Sequence, residues 1–149
     1  MLRTVIGKET ISEIVKVSEA AKRGSLFVKN DATKVASKAD GVGVDVFVLD
    51  FDAQPTGHLS DSEISQYDET VDTVPANTLA LLKKYPVGAQ IATDQVDGTF
   101  AAGNYAVAKT GAFSPAEAGD VSTFKYAGTY VDGAKTLALF RLVEPTTVA

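Results

Sequence analysis

Valine recurs at every second position from Val42 to Val48, with Gly43, Asp45, Phe47 and Leu49 on the opposite face. A period of two in so apolar a segment predicts a strand over Val42 to Phe51, buried on at least one face and central in its sheet. Upstream, Ser25 to Lys29 is a short apolar run, Asn30-Asp31 is turn chemistry, Thr33 to Ala39 is a weaker strand, and Asp40-Gly41 turns the chain again. Together they predict a meander. Downstream, Thr78 to Tyr85 reads as strand or short helix and Gln90 to Thr93 as a strand. Asp97-Gly98 reads as a hairpin turn, and Phe100 to Lys109 as a strand bulged at Gly103-Asn104. Ser114 to Asp120 is a loop, and Asp132-Gly133 joins the last two strands, Val121 to Val131 and Thr136 to Val143. Many short strands punctuated by Gly, Asp-Gly and Pro predict a mainly β fold, a small barrel or sandwich.

Residues 1–23 are predicted as an N-terminal arm ahead of a barrel-like domain over 24–149. Leu2 to Gly7 is apolar and extended. Thr10 and Glu13 have capping-box spacing, and Lys22-Arg23-Gly24 resembles a last turn and stop, so a short helix from Ile11 to Lys22 is the preferred reading. The β-branched Ile14, Val15 and Val17 leave a strand open as the alternative. Between Asp50 and Asp72 the chain passes through Asp52, Asp61, Glu63, Asp68 and Glu69 without a Lys or Arg. This long acidic loop, bounded as 50–73, is expected to be an exposed excursion from the body.

Composition narrows the function. A chain of 149 residues suits one domain with a real core. Its net charge of -5, with basic residues unclustered, argues against nucleic acid as a partner. The lack of cysteine removes disulfides, thiolate chemistry and Cys-type zinc sites. The longest uncharged run, Gly98 to Ala108, is too short and too polar for a membrane span. Charges at Arg3, Lys8, Glu9 and Glu13 leave no room for a signal peptide, so the protein is expected to stay in the compartment where it is made.

The motifs for catalysis are incomplete. His58 is the only histidine, and no G-x-S-x-G elbow occurs. Gly98 to Gly103 has phosphate-loop glycine spacing but Asn104-Tyr105 where Lys and Ser or Thr belong. Gly41-Val42-Gly43 leads into a strand rather than a helix, unlike a dinucleotide fingerprint. Asp50, Asp52, Gln54 and Asp61 have calcium-loop spacing, with Pro55 where the turning glycine belongs. No enzyme activity, metal or cofactor is expected. Tyr126 and Tyr130, beside Phe124, offer a platform for a sugar or nucleobase, or a core or subunit face.

Several short stretches, taken in order, resemble the capsid decoration (cement, or head-stabilisation) proteins of tailed bacteriophages. They are Arg23-Gly24-Ser25-Leu26-Phe27-Val28, Gly41-Val42-Gly43-Val44, Pro86-Val87-Gly88-Ala89-Gln90-Ile91, Ala102-Gly103-Asn104-Tyr105, Tyr126-Ala127-Gly128-Thr129-Tyr130 and Leu137 to Leu142. The acidic insertion is longer than in that family's smaller members. The resemblance implies a small β-barrel with an N-terminal arm, a structural virion protein made in the host cytoplasm. It would bind the outer surface of an expanded capsid and stabilise it against internal pressure. The implied partner is the major capsid protein lattice, and the implied assembly a homo-oligomer, a trimer by preference. Leu2, Arg3, Val5, Ile6, Ile11, Ile14, Val15 and Val17 are then the expected capsid-binding residues. The alternative is a virion or cell-surface β-sandwich that recognises carbohydrate or a protein receptor through Asp50, Asp52, Asp61, Tyr126 and Tyr130.

Overall fold

A computed structural model describes residues 1–50 and 72–149, and every regular element in them is a strand. In chain order these are β1 (Leu2–Ile6), β2 (Ile11–Val17), β3 (Ala21–Lys22), β4 (Leu26–Asn30), β5 (Val35–Lys38), β6 (Phe47–Leu49) and β7 (Thr73–Val74). There follow β8 (Leu79–Lys84), β9 (Gln90–Thr93), β10 (Tyr105–Lys109), β11 (Ala112–Pro115), β12 (Val121–Asp132) and β13 (Lys135–Thr147). Five strands close a barrel in the order β2-β5-β4-β6-β8. Six form a sheet in the order β1-β9-β13-β12-β10-β11, and β3 pairs with β7 as a ribbon. The fold is mainly β, as the strand periodicity predicts.

The barrel and the sheet share a wall. Leu26 and Phe27 are neighbours on β4 and both have no exposed surface, yet they belong to different cores. Phe27 joins Val17, Leu49 and Leu82 in the barrel core, while Leu26 joins Ile91, Phe113, Phe124 and Phe140 under the sheet. β6 divides in the same way, with Val48 facing the sheet and Leu49 the barrel. Strands buried on both faces need apolar side chains at consecutive positions, which is why Leu26-Phe27-Val28 and Phe47-Val48-Leu49 lack polar alternation. The sheet core centres on rings: Phe113 stacks on Phe140 at 4.3 Å, and Phe124 meets Phe113 edge-on at 5.1 Å.

The strand expected over Val42 to Phe51 is shorter than its pattern. Phe51 lies outside the described residues; among the described ones Val46 and Val48 do share a buried face, but only Phe47–Leu49 pairs as a strand, with β4 and β8. Asp45 has a φ of 54°, which breaks the extended run. Gly43 instead forms a parallel bridge to Ser122 of β12, and its carbonyl accepts hydrogen bonds from the Thr123 amide and hydroxyl at 2.9 and 3.0 Å.

The N-terminal segment is where sequence and structure differ most. The expected helix over Ile11 to Lys22 is replaced by β2, in which Ile11 to Lys16 pair with Lys84 to Leu79 of β8. Its β-branched residues fit the pleat, and Glu13 bonds Lys29 at 2.6 Å instead of closing a capping box. Nor do residues 1–23 stand apart as an arm: β1 pairs with β9, β2 is a barrel stave and β3 pairs with β7. The Asp97-Gly98 hairpin is also overturned, because β13 and β12 lie between β9 and β10. The Asp132-Gly133 hairpin forms as expected, with Asp132 opposite Lys135.

Candidate functional site

The two edges of the six-stranded sheet differ. At one, β11 is covered by residues 95–97: the Phe113 amide donates to Gln95 and the Asp97 amide donates to Phe113, at 2.9 and 2.8 Å. At the other, β1 is the outermost strand, and among the described residues the backbone of 3–6 bonds only to β9. Pairing skips from Thr4 opposite Ile91 to Ile6 opposite Gln90, so Val5 is the extra residue of a bulge. The strand is anchored along its length. Leu2 is only 3% exposed within the sheet core, the Arg3 guanidinium meets Asp132 at 2.6 Å, and the Thr4 and Tyr85 hydroxyls lie 3.3 Å apart. Ile6 is exposed at its end.

A second feature sits where the chain enters and leaves the acidic insertion. Asp50 and Asp72 are both buried, and Arg23 reaches each of them, at 2.6 and 3.7 Å. Lys83 also pairs with Asp50. Burial pushes the Asp50 carboxyl up, but hydrogen bonds from Lys83 and Arg23 pull it down and prevail, so it titrates below the usual carboxylate range. Asp50 is therefore an anchor for the base of the insertion, its oxygens already held by two cations. Asp52, Asp61 and His58 lie outside the described residues, and no cluster of metal-binding side chains occurs among the described ones.

The other expected site residues fall into distinct environments. Val15 and Val17 are buried in the barrel, whereas Ile11 and Ile14 are 61% and 71% exposed. Tyr126 stacks on Phe100 at 5.2 Å and meets Phe140 edge-on. It does not share a platform with Tyr130. Tyr126 pairs with Phe140 and Tyr130 with Leu137, and a bulge between Tyr126 and Gly128 shifts the phase, so the two tyrosines face opposite sides of the sheet. An apolar groove of about 410 Å³ lies between barrel and sheet, lined by Val44, Val46, Tyr85, Val121, Phe124 and Leu142.

The sequence marks Arg23 as the last turn of a helix and Asp72 as the end of an acidic run, neither as an ion-pair partner, and it does not single out Lys83 or the bulge at Val5. The adjacency of Arg23 to Gly24 is its local mark, and the two described carboxylates it reaches stand 27 and 49 positions away. No known protein family, curated protein or solved structure matches the chain.

Proposed function

We propose that this chain is a structural docking protein of the capsid-decoration kind. In this reading the outer edge of β1 pairs with a strand on the outside of an expanded phage head and braces the shell against internal pressure. The observation that carries the proposal is the outer edge of β1, which pairs with no other strand among the described residues and is held in strand form by β9 and by Leu2. A free arm would lose conformational entropy on docking, and a strand already fixed in a sheet avoids that loss. Each main-chain hydrogen bond contributes a net of about 1 kcal/mol, so one five-residue edge makes a weak contact. Repetition over a lattice, and over the subunits of a homo-oligomer, raises the avidity. The role is structural rather than catalytic, exercised on the virion surface after synthesis in the host cytoplasm.

The test is Val5→Pro. Proline removes a backbone donor, and at a bulge it disturbs the ladder to β9 least. The variant should fold as the parent does and co-sediment with undecorated expanded heads at least about tenfold more weakly, a loss of about 1.4 kcal/mol. Undiminished binding by the folded variant would exclude the β1 edge as the contact.

A further inference from the structure

The net charge of the chain is confined to one stretch. Residues 51–71 contain five acidic residues and no basic one, and the remaining residues contain fourteen of each sign. The body is therefore formally neutral, and the whole charge of -5 belongs to the insertion.

The barrel carries an exposed apolar face on the outside of β2 and β8. Ile14 lies directly opposite Leu81, and Lys16 opposite Leu79, so these four side chains share that face. Ile14 is 71% and Leu79 65% exposed, unusual for large aliphatic side chains on paired strands. Beside them a shallow groove of about 410 Å³ is bordered by Glu13, Lys29 and Lys34 as well. Lys29 is committed to Glu13 at 2.6 Å and to Asp31 at 3.1 Å. Lys16 and Lys34 are exposed and make no ion pair among the described residues, so two uncommitted cations flank the apolar ground.

We infer that the Ile14–Leu79 face binds the acidic insertion of a second copy of this chain. The complementarity is both electrostatic and apolar: five carboxylates meet Lys16 and Lys34, and Leu59, Ile64 and Tyr67 within 51–71 supply apolar side chains for Ile14, Leu79 and Leu81. The contact is heterologous, one copy offering the face and the next the insertion, so it builds a ring or a chain of copies. It uses a different surface from the β1 edge and does not depend on head binding.

Sedimentation velocity of the full chain tests this. The parent should associate with rising concentration at low salt, and high salt should weaken that association because exposed charges are screened. Lys16→Glu with Lys34→Glu should weaken self-association at least about tenfold, and so should Asp61→Lys with Glu63→Lys. Mixing the two charge-reversed variants should restore a complex, because each supplies the surface that the other lacks. A parent that stays monomeric at low salt overturns the inference, as does association unchanged by either reversal or a mixture that fails to associate. Circular dichroism of each variant separates loss of contact from loss of fold.

Discussion

Gly43 lies so close to Ser122 that a Cβ on it would sit 2.5 Å from the Val121 carbonyl oxygen and 2.9 Å from the Ser122 Cα. Both obstacles are backbone, so neither can swing aside. Gly43→Ala should push the segment before β6 away from β12 and cost about 1–3 kcal/mol. Chemical denaturation measures this. A cost near zero would mean that this part of the junction between barrel and sheet is loose.

The two-residue turn joining β10 to β11 holds Thr110 and Gly111 at φ values of 49° and 81°. A β-branched residue in the left-handed region is strained, and asparagine tolerates that region well. Thr110→Asn keeps the amide that donates to Asp40 at 3.0 Å. It should therefore raise stability by about 1 kcal/mol, read as a higher midpoint in thermal or urea unfolding.

Asp50 makes stability depend on pH in a definite direction. Its carboxyl titrates lower in the folded protein than in the unfolded chain, where the value is about 3.9. The contribution is therefore present above the unfolded value and is lost as pH falls through the folded one. Asp50→Asn leaves Arg23 and Lys83 without that counter-charge and should cost about 3 kcal/mol at neutral pH. Parent and variant should converge in acid. A constant difference across the acid range would remove Asp50 as the source.

Leu2 distinguishes an integral first strand from a free arm. With 3% of its surface exposed in the sheet core, Leu2→Ala should cost about 2–4 kcal/mol, whereas an arm residue would cost almost nothing. Removing residues 1–17 should go further, because it takes away the edge strand and one of five barrel staves. The truncated chain should show no cooperative unfolding transition.

What the sequence discloses follows the range of the interactions that decide it. The facing of Val46 and Val48 is legible because alternation along one strand is local, and so is the Asp132-Gly133 turn. The strand over Ile11 to Val17 is ambiguous because its helical signals are local while its partners Leu79 to Lys84 lie far along the chain. The same holds at the candidate sites. Ile14 is noticed as apolar, but its exposure depends on the barrel closing behind it. Tyr126 and Tyr130 look like one face until a bulge at Gly128, with its φ of 113°, turns them apart. Asp50 reads as a free acid in a charged run, and only the fold brings Arg23 and Lys83 to it.

Electron cryomicroscopy of undecorated expanded heads mixed with the purified chain tests the docking role most directly. The account predicts added density at fixed, symmetry-related points on the outer shell, with β1 facing a capsid strand at pairing distance. Heads that stay bare at saturating protein would contradict it.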